Sequence, residues 1–285
     1  MIESTTITTA DQEFMALTMD PNSDNPPLML LVHGFPDTPH SFHHQLQFFN
    51  NRGFRVVAPW LRGYAPSAPA ADGNYSAPAS GMDLLQIMDT LDYAQAVVVG
   101  HDWGASAAYA AAITAPERIS HLITCAVPYG PGLMQAMAIN GDQQRRSWYV
   151  FFFQTPLAEQ AVKANDYALI KRLWLEWAGP DWERDEATLA AVLDCFDQPG
   201  TIEAALQYYR QTFATPPPAR YLPIASPALY IHGEQDGCIG VELAQPDPAM
   251  YSAGCDYYQV AGAGHFVHLE KPDEFNQRVA AFIAT

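Results

Sequence analysis

A chain of 285 residues that is 49% hydrophobic and 16% charged belongs with ordinary globular proteins, and it can bury roughly 75% of its unfolded surface in one large domain or a domain with an insertion. Its 14 basic and 31 acidic residues leave a formal charge of −17, which argues against nucleic-acid and anionic-membrane partners and disfavours anionic substrates. Scattered cysteines without a Cys-x-x-Cys pair, no apolar run of roughly 18 residues and no secretory pattern at the start predict buried thiols, no metal site, no membrane span and a cytoplasmic setting.

In chain order, 3–19 reads as two short strands turning near Ala10-Asp11-Gln12. "NPPLMLLVHG" is a short strand apolar on both faces, 39–51 a helix stopped by Asn51-Arg52-Gly53, and "FRVVAPW" another strand. A proline- and alanine-rich loop leads to a helix from about Gly81 to Leu91. "AQAVVVG" then runs into Gly100-His101-Asp102-Trp103-Gly104 and an alanine-rich helix, and "HLITCAV" follows. Strands alternating with helices predict a mostly parallel sheet covered on both faces. From Pro128 to about Pro223 only helical patterns occur, with Trp148, Trp174, Trp177 and Trp182 among them. The alternation resumes with "ALYIHG", "CDYYQV" and a last helix over 271–283. The spacing therefore predicts an α/β core made of 1–128 and 223–285, with a helical cap inserted over 129–222 between strands of one sheet. Sites in open α/β sheets lie at the carboxyl ends of strands, which such a cap would cover.

The elbow at 100–104 has the form Gly-x-Ser-x-Gly of serine hydrolases, with Asp102 where the serine would stand. "LYIHGEQDGCIG" puts Asp236 just past one strand, and "VAGAGHFVHLEKP" puts His265 just past the next. Nucleophile, acid, histidine is the chain order of an α/β-hydrolase triad. "LVHGFPDTPH" puts Phe35 at another strand mouth, where its backbone N–H and that of Trp103 can form an oxyanion hole. A carboxylate with a pKa of about 3.9 is already ionised at neutral pH and suits displacement at an sp³ carbon, giving an alkyl ester of Asp102. His265, supported by Asp236, would then activate the water that hydrolyses the ester. Competing readings are a helix N-cap for Asp102, a loop role for His265, and a turn role for Asp236, with Glu234 beside it. His101, His232 and His268 read as structural.

These motifs resemble the α/β-hydrolase-fold epoxide hydrolases over essentially the whole chain, and the haloalkane dehalogenases nearly as broadly. "HDWG", the His-Gly-x-Pro loop and the closing Gly-His are shared with both. In the dehalogenases halide donors come from the tryptophan after the nucleophile and often from an Asn in that loop, where this chain has Phe35. In the epoxide hydrolases two lid tyrosines protonate the leaving oxygen. Tyr149 in "RRSWYVFFFQTP" and Tyr209 in "TIEAALQYYRQTF" match them, with Tyr208 the alternative at the second position. The fluoroacetate dehalogenases share "HGFP" but carry Arg where this chain has Trp103. The family's Asp-x-Arg-Gly-Tyr-Gly loop stands here as "WLRGYAPS", with Trp60 and Ala65 departing from it. The resemblance implies an α/β-hydrolase fold and an enzyme without cofactor. It implies an uncharged, fairly apolar epoxide and water as substrates, with Phe35, Pro36, Trp103, Phe153 and Phe266 against the epoxide. A haloalkane dehalogenase with the same triad is the alternative, and a catalytically silent binding protein a further one. The sequence carries no signal of oligomeric state.

Overall fold

The computed structural model describes residues 1–214 and 220–284. Its strands are β1 (Glu3–Thr8), β2 (Glu13–Met19), β3 (Leu28–Val32), β4 (Arg55–Pro59), β5 (Ala96–His101), β6 (Ile119–Cys125), β7 (Ala228–Gly233) and β8 (Cys255–Val260). They form one 8-stranded sheet in the order β1-β2-β4-β3-β5-β6-β7-β8. Only β1 with β2 and β2 with β4 are antiparallel; every other pair is parallel. The burial follows from this order. Central β3 and β5 are buried at every residue, while the edge strands β1 and β8 are largely open. This is why "LMLLV" and "AVVVGH" read as continuous apolar runs.

Helices α1 (His43–Asn50), α2 (Ala77–Thr90), α3 (Trp103–Thr114), α10 (Val267–Glu270) and α11 (Pro272–Ile283) flank the sheet. The stretch expected as one helix over 39–51 is a 3₁₀ turn, Pro39–Phe42, followed by α1. Helix α2 starts at Ala77, ahead of the expected Gly81. Ser76 caps it, and Pro78 sits in the first turn, where the missing N–H is not needed. Helix α3 consists mainly of small residues because it packs directly under the sheet and against α2. A Cβ at Gly81 would meet Ala110 Cβ at 2.7 Å and Ala111 N at 2.8 Å.

Between β6 and β7 the described residues form α4 (Gly132–Ile139), α5 (Gly141–Arg146), α6 (Trp148–Phe152), α7 (Ala158–Trp177), α8 (Glu186–Phe196) and α9 (Thr201–Ala214) and no strand. Residues 215–219, inside the expected cap, lie outside the described residues. Chain order turns about β3: β4 lies on one side of it and β5 on the other. The crevice that such a reversal opens at the carboxyl ends of β3 and β5 is where a ligand fits best in a sheet of this kind. Both strands end there, at His33-Gly34-Phe35 and at Asp102.

Candidate active site

Asp102 alone joins β5 to α3, with φ +53° and ψ −117°. A non-glycine residue held there stores strain, and the surroundings must over-determine it. Backbone packing does so. A Cβ at Gly104 would run into the Val32 and His33 carbonyls, so only glycine lets α3 start this close to β3. A Cβ at Gly34 would strike the Asp102 side chain and approach Trp103 N within 2.6 Å, so the His-Gly loop lies flat against the elbow. The N–H groups of Ala105 and Ser106 bond the Asp102 carbonyl, while its carboxylate makes no cap bond, contrary to the N-cap reading.

That carboxylate is buried, hydrogen-bonded at one oxygen and faced by an imidazole at the other. The Phe35 N–H donates to Oδ1 at 2.7 Å. On the other side His265 Nε2 lies 3.7 Å from Oδ2. His265 Nδ1 sits 2.9 Å from Asp236 Oδ2. Asp236 is fixed in turn, since its Oδ1 accepts the N–H groups of Cys238 at 2.7 Å and Ile239 at 2.9 Å. Glu234, the competing acid, is exposed and accepts the Gly262 N–H instead. The elbow, the turn after β7 and the loop after β8 thus bring Asp102, Asp236 and His265 into one row.

The electrostatics follow from burying one imidazole between two carboxylates. Desolvation alone would lower the His265 pKa, but Asp236 and Asp102 outweigh it and push it up to about 10. Burial works against ionisation of Asp102 and Asp236 too. His265, with the Phe35 N–H at Asp102 and the Ile239 N–H at Asp236, holds both below the usual carboxylate range.

Tyr149 on α6 and Tyr209 on α9 are both buried, and their rings meet nearly at right angles, 5.7 Å apart. The Tyr209 ring also meets Trp103 edge-on at 4.9 Å. Among the described residues, neither Tyr209 Oη nor Trp103 Nε1 has a hydrogen-bond partner. Tyr208, its neighbour on α9, points elsewhere: its hydroxyl donates to the Arg62 carbonyl at 3.0 Å. Burial drives the pKa of Tyr149 and Tyr209 well above the phenol value, so both stay protonated. A cavity of about 1090 Å³ opens beside these groups, its wall including Asp102, Trp103, Tyr149 and Tyr209 together with apolar Leu133 and Met137. Phe35, Pro36, Phe153 and Phe266 are not in that wall. Phe35 and Phe153 pack against each other and against Tyr209, behind it. Pro36 offers its carbonyl to Trp174 Nε1, and Phe266 packs into the tryptophans at 174, 177 and 182.

A family model described as the α/β hydrolase fold matches residues 27–272. The chain is 32% identical to Epoxide hydrolase 4 of Mus musculus over 90% of its own length and 73% of that protein. The chain belongs to the α/β-hydrolase-fold epoxide hydrolase family, and it is a hydrolase. It is also 27% identical to an epoxide hydrolase of Caballeronia sordidicola, over 91% of this chain and 88% of that one. A crystal structure of the Bacillus megaterium epoxide hydrolase with an inhibitor superposes with a TM-score of 0.84 at 24% identity, over 99% of this chain and 100% of that chain, a likeness of fold.

In this epoxide hydrolase family member several site groups had no signal in the sequence. Glu270 is buried and accepts the N–H groups of Gly179, Gly264 and Phe266, clamping the loop that carries His265. Asp37 accepts from Thr38 N and Ser41 Oγ beneath the site. Its Oδ2 lies 3.7 Å from His101 and 3.8 Å from His268, both buried as expected for structural histidines. Cys238 puts its sulfur 3.2 Å from Tyr149 Oη. A loose acid or thiol in a loop announces none of these partners, because they lie in distant chain segments or in the turns of a folded loop. Two buried trios, Asp37-His101-His268 and Asp236-Cys238-His265, hold potential ligand atoms within 4.8 Å of one another. Among the described residues no helix is long and apolar enough to cross a membrane.

Proposed function

We propose that this hydrolase opens an uncharged, fairly apolar epoxide to a vicinal diol through a covalent ester on Asp102. The observation that carries the reading is the pairing of an ionised carboxylate with two buried, protonated phenols in the wall of one apolar cavity. Asp102 Oδ2 attacks the epoxide carbon, the carbon–oxygen bond breaks, and Tyr149 or Tyr209 protonates the departing oxygen. An alkoxide is too basic to leave without that proton. Oδ1 becomes the ester carbonyl oxygen and already accepts the Phe35 N–H, with the Trp103 N–H as the second oxyanion donor. Water gives a proton to His265 and attacks the ester carbon. His265 returns that proton to the alkoxide oxygen leaving the ester, the diol departs, and the proton of the regenerated carboxyl restores the phenol. Asp236 keeps the imidazole oriented throughout. In the same reading 129–222 is a cap over a core of 1–128 and 223–285, and the free cysteines suit a reducing, cytoplasmic setting. The names of the relatives support the assignment.

One observation favours a second reading. The partnerless indole N–H of Trp103 beside Asp102 is a donor that a departing halide would use, as a haloalkane dehalogenase requires. Replacing Tyr149 and Tyr209 together by Phe separates the two. Epoxide turnover should fall by about 10²–10⁴-fold or more, each single change costing less than the pair. Halide release needs no proton and should change little. Retained diol formation in the double variant, or faster haloalkane than epoxide turnover by the unaltered enzyme, would overturn the assignment.

A further inference from the structure

The two phenols are held differently. Tyr209 Oη has no hydrogen-bond partner among the described residues, whereas Tyr149 Oη is engaged by Cys238 Sγ at 3.2 Å. Cys238 stands where the triad and the cap meet. Its N–H is one of the donors that fix Asp236, and its sulfur lies within 4.8 Å of ligand atoms of both Asp236 and His265. The same turn is fastened to the cap by Gln143 of α5, which is fully buried. The Gln143 amide nitrogen donates to the Cys238 carbonyl at 2.9 Å and to Ser147 Oγ at 2.8 Å, and its oxygen accepts the Gly240 N–H at 3.0 Å. Ser147 stands immediately before α6, the helix that carries Tyr149. The turn that holds the triad acid therefore also fixes the distance from Cys238 to Tyr149.

We propose that Cys238 is a positioning residue for Tyr149: its S–H donates to the phenol oxygen and leaves the phenol proton aimed at the substrate oxygen. The reverse direction, phenol to sulfur, would spend that proton on a weak acceptor. Other acceptors for the thiol are taken. Asp236 Oδ1 accepts backbone N–H groups and Oδ2 faces His265 Nδ1. Burial keeps the thiol protonated, so it stays a donor. When Tyr149 passes its proton to the opening epoxide, the S–H stabilises the phenolate that remains. The proposal rests on the reading of Tyr149 as an acid.

A double-mutant cycle on the full-length enzyme tests it, with styrene oxide as probe and rapid-quench measurement of ester formation and ester hydrolysis separately. Cys238→Ala should slow ester formation about tenfold, the size of one lost hydrogen bond, and leave ester hydrolysis unchanged. Cys238→Ser, whose hydroxyl donates in the same place, should restore most of the rate. In the Tyr149→Phe background Cys238→Ala should change ester formation by less than about twofold, because the group it acts through is gone. An equal loss in both backgrounds, or a loss confined to ester hydrolysis, would mean that the side chain only shapes the Asp236 turn. Should Tyr149→Phe itself form ester at the normal rate, the acid reading falls and this proposal with it. If Tyr149→Phe is slow and Cys238→Ala is not, the Cys238 proposal alone fails.

Discussion

His265 carries a charge problem that its chemistry must solve. Between two carboxylates its pKa stands at about 10, so at neutral pH the resting enzyme holds an imidazolium, which cannot accept a proton from water. In the proposed mechanism alkylation removes the obstacle: Asp102 becomes a neutral ester, one of the flanking charges disappears, the imidazolium releases its proton to solvent, and the imidazole is a base when a base is needed. Ester hydrolysis in single-turnover experiments should therefore rise with pH between about 5 and 10, with an apparent pKa below that of the resting enzyme. A rate flat across that range would contradict the base role. His265→Gln should still form the ester and then stall, which intact mass reads as a stable gain of one substrate. No gain under excess epoxide would sink the division of labour. Stability has its own pH signature. The folded pKa of His265 lies above the ordinary imidazole value of 6.5, so its contribution is complete below that value and is lost as pH rises towards 10. Asp102 and Asp236, held low, contribute above the usual carboxylate range and lose that contribution as pH falls through their folded values. The melting temperature should decline above about pH 6.5, and less steeply in His265→Gln. An equal decline in both proteins would show that the ion pair is not its cause.

The decisive element is the joint between β5 and α3. It works because backbone meets backbone there without a side chain between, and because the positive φ of Asp102 sets its buried carboxylate in the cavity wall. Gly104→Ala places a methyl group against the Val32 and His33 carbonyls, which cannot move without separating β3 from α3. It should cost about 3 kcal/mol or more and abolish turnover. Gly132→Ala, at the start of α4 with nothing within 4 Å of the new methyl, is the matched control and should lie within about 0.5 kcal/mol of the unaltered protein. Denaturant titration of both settles the matter, and similar midpoints would refute the close-approach account. The joint was legible in sequence because a Gly-x-Asp-x-Gly pattern after an apolar run is a local signal. The start of α2 was not. "SAPAS" looks like loop until Ser76 is seen capping and Pro78 is seen in the first turn.

At the scale of the whole molecule the loop after β4 fastens sheet, α2 and α9 together. Arg62 is buried, its Nε 2.6 Å from Asp83 Oδ2, and it donates further to the Asn74 and Ala79 carbonyls. Its own carbonyl receives the Tyr208 hydroxyl from α9. Burial raises the Asp83 pKa even with Arg62 beside it. Removing the cation alone would strand a buried carboxylate, so Arg62→Met should destabilise by about 3–5 kcal/mol, while Arg62→Met with Asp83→Leu should recover most of it. A double variant as unstable as the single one would show that the arginine acts through its carbonyl contacts instead.

What the sequence by itself determined is whatever depends on neighbours in the chain. The alternation of apolar strands and helices set the sheet, the helical run from Pro128 marked the stretch of helices between β6 and β7, and the motifs around Asp102, Asp236 and His265 named groups whose order along the chain implies one row. Only tertiary structure decided the rest. Tyr208 and Tyr209 are adjacent, and nothing local distinguishes them. The helix rotates neighbours about 100° apart, and packing sends one hydroxyl to Arg62 and leaves the other beside Trp103. Phe35, Phe153 and Phe266 sit near the motifs in sequence yet are not in the cavity wall, because packing against other aromatic rings claims their side chains, and Pro36 lies outside it with its carbonyl on Trp174. Asp37, Cys238 and Glu270 find partners in segments far along the chain or in the backbone of a folded loop, so their roles exist only once the fold has closed.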